Sequence, residues 1–247
     1  MPALDTHFSR IAAPENLHGR VTRALGLRLI EAERSGEDVF FPNEAQLCQQ
    51  LGVSRSILRE AVKVLADKGM LQVRPRSGTR SRPRSDWNLL DPDILCWQAE
   101  ARADARFLRE LCEVRLAIEP TASGFAALRA TPQQTAEIAA ALEHREALDG
   151  RNTEAIVESN LRFYETVVAA SQNPLFRQLS ASIRMPMRVA LSITAHVTAS
   201  LALEREANRT LYEAIVRRDP PAARIAAEEI VGFAMIAVEE VIRREGL

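Results

Sequence analysis

Residues 52–71, GVSRSILREAVKVLADKGML, place Arg55, Arg59 and Lys63 at four-residue spacing, with Ser54 and Ser56 beside the first of them. On a helix starting at Arg55 the three cations span about 80° of arc, and Ser56 sits at about 100°. Ile57, Leu58, Ala61, Val62 and Leu65 fill the opposite side, from about 200° to 340°. One face packs; the other offers guanidinium, ammonium and hydroxyl groups, which suit phosphate oxygens and the acceptor edge of guanine. Any surface helix has a charged face, so the neighbours decide. Another helix and a short turn precede this one, and the hairpin sequence MLQVRPRSGTRSRPRS follows, with five arginines and no acid. Together they predict binding to double-stranded DNA: Ser54 and Ser56 on phosphates, Arg55 and Arg59 on guanine edges, and Arg74 and Arg76 in a wing.

A second set of polar residues lies in the back half. Leu108, Leu111 and Ile118 flank Arg115 at helical spacing, so its charge falls on a buried stripe, where an unpaired cation is costly. Glu119, one turn later, is one possible partner. Asn160 and Tyr164 share a face with Ile156 and Val167, so their polar atoms point inward and need partners. Either they bond each other and ordered water, or they line a polar pocket. Arg188, Ser192 and His196 form a further stripe with hydroxyl-binding capacity, although His196 equally suits a satisfied core position.

The elements that position these residues divide near residue 85. Residues 17–34 put Leu17, Val21, Leu25 and Leu29 on one stripe and end before Ser35-Gly36. Asn43 caps a second helix that Gly52 ends, and Ser54 caps a third that runs to about Lys68 before Gly69. The hairpin completes a winged helix-turn-helix over residues 1–80, with its core at 17–80, and 81–90 reads as a linker. Residues 91–247 carry only helical signals: Asp91-Pro92 opens one helix, and amphipathic segments follow at 104–130, 132–149, 153–171, 174–199, 204–218 and 220–245. Pro120 and Pro186 fall inside segments and predict kinks or breaks. The fold class is mainly α, a winged helix-turn-helix followed by an all-helical bundle of six or seven helices.

Composition bounds the rest. With 47% hydrophobic side chains in 247 residues, the chain can bury a core. Residues 1–85 hold 14 Lys and Arg against 9 Asp and Glu (+5), and 86–247 hold 18 against 24 (−6). A basic front and an acidic back suit a polyanion partner for the front alone. No long apolar run or signal-peptide succession occurs, which predicts a cytoplasmic protein with no membrane partner. Cys48, Cys96 and Cys112 are odd in number and far apart, which favours reduced thiols over a disulfide framework or zinc knuckle.

The stretch FPNEAQLCQQLGVSRSILREAVKVLADKGMLQVRPRSGT resembles the DNA-binding domain of the GntR superfamily over about 60 residues. Lys63 belongs to the same cationic face, and the resemblance adds Glu44 and the wing residue Gly78 to the DNA-contacting set. Ala45 replaces an arginine that some relatives use on DNA, and Pro75-Arg76-Ser77 replaces a glycine-rich wing tip, so the operator is expected to differ.

LCEVRLAIEPTASGFAA, NLRFYETVVAASQNPLF and NRTLYEAIVRRDPPAA resemble the FadR-type effector domain, FCD. WNLLDPDILCWQ and EVRLAIEP look like the galactonate-catabolism regulators within that group. This resemblance implies that Arg115 clamps a ligand carboxylate, with Asn160, Tyr164 and Asn208 in the same effector site, to which the spacing adds Arg188 and Ser192. It also places Asn160, Tyr164, Asn208 and Ile230 where the family commonly holds a divalent metal. None of the four is a carboxylate or an imidazole, so no metal and no other cofactor is expected there.

The expected protein is a homodimeric, ligand-responsive regulator, a repressor that senses a small carboxylate with a sugar acid favoured. An FCD-type regulator of another organic acid with a non-sensing pocket is the alternative. A DNA-tethered helical enzyme lacks support, because no H-E-x-x-H, Walker A or G-x-S-x-G pattern occurs. A purely architectural DNA binder leaves the inward polar set unexplained.

Overall fold

The computed structural model describes residues 17–74, 78–101, 104–148, 152–195 and 198–246, with side chains described throughout except at 198–202. The chain forms two compact units that meet between Asn88 and Leu89.

In the first unit, α1 (Leu17–Arg34) and α2 (Glu44–Leu51) both pack on α3 (Arg55–Asp67). Leu29, Leu58, Ala61 and Leu65 are buried, so the apolar arc of α3 is the packed one. Asn43 and Ser54 cap their helices by accepting from the backbone N–H of Gln46 and Ile57. Strands β1 (Leu71–Arg74) and β2 (Gly78–Ser81) pair antiparallel, with Leu71 opposite Ser81 and Arg74 opposite Gly78. Residues 39–41 add backbone bonds along β2, from Ser81 N–H to Val39 and from Phe41 N–H to Thr79.

The expected linker at 81–90 is instead built into this unit up to residue 88. Trp87 is buried and its indole N–H donates to the Arg82 carbonyl at 2.9 Å; Arg82 and Asn88 N–H bond the carbonyls of Met70 and Lys68. A polar, arginine-rich composition hid that one tryptophan anchors the segment. The anchor also fixes Gly69, whose φ is 78° and whose Cβ, if present, would lie 2.2 Å from the Asp86 carbonyl oxygen. Gly69→Ala therefore combines a left-handed backbone penalty with a backbone collision. It should destabilise the first unit by about 2 kcal/mol or more, read from urea unfolding of the full chain.

The second unit has seven helices among its described residues: α4 (Pro92–Glu100), α5 (Ala105–Arg129), α6 (Pro132–Glu146), α7 (Thr153–Ala170), α8 (Pro174–Thr194), α9 (Thr198–Val216) and α10 (Pro220–Glu245). Asp91, Thr131, Asn173 and Asp219 are N-caps, each followed by a proline in the first turn, where a missing N–H costs nothing. α5 packs most extensively on α10, and α7 lies against α5, α6 and α8. Leu108, Leu161, Val168 and Ile183 centre one core cluster; alanines of α5, α6 and α10, with Phe163 and Ile215, form the other.

Of the kinks or breaks expected at Pro120 and Pro186, no break occurs: helices α5 and α8 run on through both prolines, which are buried. One expectation needs correction. The segments read as 174–199 and 204–218 are divided earlier, with α8 ending at Thr194 and α9 starting at Thr198, because no Pro or Gly marks that junction. No helix among the described residues is long and apolar enough to cross a membrane.

Candidate functional site

On the first unit, α3 presents Ser54, Arg55, Ser56, Arg59 and Lys63 to solvent on one side. Glu44, at the start of α2, organises them. Its carboxylate accepts from Arg59 Nε at 2.8 Å and lies 3.8 Å from Arg55 Nε, while both guanidinium side chains stay about 70% exposed. Glu44 thus gathers two arginines whose outer N–H groups remain available, and its hydrogen bond and charge raise the Arg59 pKa further. Ser54 Oγ lies 3.0 Å from Ser56 Oγ while capping α3. The N-terminal turn of that helix, with its unbonded N–H groups and positive dipole end, favours phosphate. Arg74 and Gly78 face each other at the end of the hairpin, both exposed, and Gly78 has φ 86°. Arg76 lies outside the described residues, as does His196.

The second unit contains a cavity of about 50 Å³ bounded by α5 to α10. Arg115, Asn160, Tyr164 and Asn208 all line it, together with Ile230. Arg188 and Ser192 do not. Arg188 is half-buried and pairs with Glu154, and Ser192 Oγ donates to the Arg188 carbonyl at 2.8 Å, so a polar stripe on α8 bonds its own surroundings instead of the cavity.

Arg115 is buried and its Nε donates to Glu119 Oε1 at 2.6 Å, with Nη2 3.5 Å from Oε2. The protein itself therefore supplies a carboxylate to the guanidinium expected to clamp a ligand. Burial pulls the Arg115 pKa down, but the charge and hydrogen bond of Glu119 outweigh it, and the net shift is upward. Burial pushes the Tyr164 phenol well up, with the Glu119 charge adding to the effect, so the phenol stays neutral. Tyr164 Oη and Ser180 Oγ are near neighbours without reaching hydrogen-bond geometry, and each is buried without a partner. Of the two alternatives for Asn160 and Tyr164, the bond to each other is not made, and both line the cavity.

Asn160 Oδ1 instead accepts from Nε of Arg145, a residue of α6 that had not been singled out. Arg145 is 4% exposed; its Nη2 contacts Glu204 Oε2 at 3.3 Å, and its Nη1 is buried with no partner. Burial lowers its pKa and Glu204 opposes that shift, yet an arginine stays charged. The signal for Arg145 was present in the sequence: Ile138, Ala141 and Leu142 place it on a buried stripe by the same spacing that marked Arg115. Glu119, Ser123 and Glu204 also line the cavity; Glu204 lies one turn before Asn208 on α9. Asn208 Nδ2 donates to the Glu204 carbonyl at 2.6 Å.

A cationic helix face beside a wing and a separate helical unit around a charged cavity agree with the similarities of the chain. The profile of bacterial regulatory proteins of the gntR family matches residues 20–80, and that of the FCD domain matches residues 110–233. The chain is also 32% identical to the galactonate operon transcriptional repressor of Escherichia coli over 81% of its own length and 87% of that protein. The chain belongs to the GntR family of bacterial regulatory proteins. This GntR protein, of the FadR type by its FCD domain, is a DNA-binding transcriptional regulator and not an enzyme. It is 28% identical to the HTH-type regulator YieP of E. coli, over 90% of this chain and 95% of that one. Among solved structures, Lar, which controls expression of the Listeria monocytogenes agr system, shares the fold with a TM-score of 0.60 and 19% identity, covering 92% of this chain and 99% of Lar.

Proposed function

We propose that this GntR regulator is a cytoplasmic, homodimeric repressor whose FCD cavity senses a small carboxylate, with a sugar acid the favoured class, and whose operator affinity changes on binding. The observation that carries this reading is the pair of buried guanidinium groups, Arg115 and Arg145, at one cavity that also holds amide and hydroxyl groups from Asn160, Asn208 and Ser123. Guanidinium forks suit carboxylates, and the amides and hydroxyl suit a polyol chain. The similarity to the galactonate operon repressor supports the same class. At about 50 Å³ the cavity takes a carboxylate or a few waters, so a six-carbon acid must displace side chains and shift helices. Such a shift is the means by which a ligand biases one arrangement over another.

The donor set does not fit a divalent metal. Asn160 Oδ1 is already bonded to a guanidinium, Tyr164 is held neutral, Asn208 is an amide and Ile230 is apolar. A fixed cation beside Asn160 repels a second one, and the reading is therefore metal-free.

A thermal-shift panel on the full chain tests this, using D-galactonate, D-gluconate, D-glucuronate, L-lactate and succinate, each with and without EDTA and Zn²⁺. A binder at 100 times its Kd should stabilise by roughly 2.7 kcal/mol. One acid should raise Tm equally with and without EDTA. The closed Arg115–Glu119 pair favours a second reading, a structural cavity that senses nothing; in that case no acid shifts Tm. A fall in Tm with EDTA alone contradicts the metal-free site.

A further inference from the structure

The two buried arginines are not equivalent. Arg115 is closed by a 2.6 Å hydrogen bond to Glu119 on its own helix, with a second nitrogen 3.5 Å from the other carboxylate oxygen. Arg145 is open: one nitrogen is on Asn160, one makes a single 3.3 Å contact with Glu204, and the third is buried with no partner. A buried donor without an acceptor is a standing cost that an entering oxyanion removes.

Among the described residues the charges lining the cavity cancel, two arginines against two glutamates. An entering carboxylate would leave the cavity with one uncompensated negative charge unless a glutamate gives way. Glu119 is poorly placed to yield, being 7% exposed and bonded at 2.6 Å. The Glu204 side chain is 14% exposed and its contact with Arg145 is long.

From this contrast we infer that Arg145, not Arg115, anchors the effector carboxylate, and that Glu204 is an internal competitor which occupies the guanidinium until the effector displaces it. The inference rests on the carboxylate-sensing reading above and adds the anchor and the residue that opposes binding. Because Arg145 belongs to α6, Asn160 to α7 and Glu204 to α9, the exchange loosens one link between helices while another holds. Binding and helix rearrangement then become one event.

The test is calorimetric titration of the full chain with each acid of the panel, comparing wild type, Glu204→Gln and the double variant Arg145→Gln/Glu204→Gln. The glutamine at 204 keeps the shape but withdraws the competing charge, so Glu204→Gln should tighten binding by about tenfold. The double variant removes both charges together, which avoids an orphaned ion, and should weaken binding about tenfold to a hundredfold relative to wild type. Circular dichroism melts confirm that each variant is folded. Weaker binding by Glu204→Gln overturns the competitor role. Undiminished binding by the folded double variant overturns Arg145 as anchor while leaving the sensing reading intact. No binding of any acid, to wild type or to Glu204→Gln, overturns both.

Discussion

Replacing Glu119 by Ala should lower the stability of the FCD domain by about 3–5 kcal/mol, a large share of what a domain of this size has to lose. Arg115 is 7% exposed, Glu119 is its bonded carboxylate, and truncation leaves a buried guanidinium without its counter-ion. The pair itself is a different matter, because two ions lose hydration to form it. Arg115→Met/Glu119→Leu should therefore recover most of that loss. Urea unfolding of the full chain, followed by helical circular dichroism, measures both. A loss below about 1 kcal/mol for Glu119→Ala would mean that the side chain swings to solvent and that the buried pair is not maintained.

Arg59→Ala should weaken binding to a selected operator duplex by about 1–3 kcal/mol while changing affinity for random duplex much less. Arg59 lies on the exposed face of α3 with Arg55 and Lys63, and Glu44 holds it at 2.8 Å. That contact limits the rotamers of a long side chain before DNA arrives, so less conformational entropy is lost on docking. Competition anisotropy with labelled operator and unlabelled random duplex separates the two affinities. An equal loss on both would assign Arg59 to phosphate, and no loss would remove it from the interface.

Much of this architecture is legible from residues with strong local chemistry. Asn43, Ser54 and Asp91 announce helix starts because a short polar side chain satisfies the first free N–H groups, and each is an observed N-cap, as are Thr131, Asn173 and Asp219. The packed and free faces of α3 follow from helical periodicity in the same way. Tertiary effects were not legible. Trp87 turns a polar stretch into part of the first unit, and buried surroundings carry α5 and α8 through their prolines.

At the cavity, local spacing placed Arg115, Asn160 and Tyr164 correctly on inward faces, and resemblance pointed to Asn208. Neither could say which partner each would meet, since Arg145, Asn160 and Glu204 come together from three helices. Arg188 and Ser192 had the right spacing but sit on a part of α8 that does not line the cavity. A four-residue stripe fixes a direction on its own helix, and only the packed neighbours determine what lies in that direction.

The most direct test of the central claim is operator affinity of the full chain, measured by fluorescence anisotropy on a duplex selected from random sequence, with and without each acid of the panel. Coupling between a cavity ligand and DNA is typically about 1–3 kcal/mol, or roughly 5- to 150-fold in affinity. We expect one carboxylate, and not its neutral polyol counterpart, to change Kd by at least about fivefold, with EDTA making no difference. Tight operator binding that is identical with every acid would contradict the account, leaving a DNA-binding regulator whose charged cavity serves the fold alone.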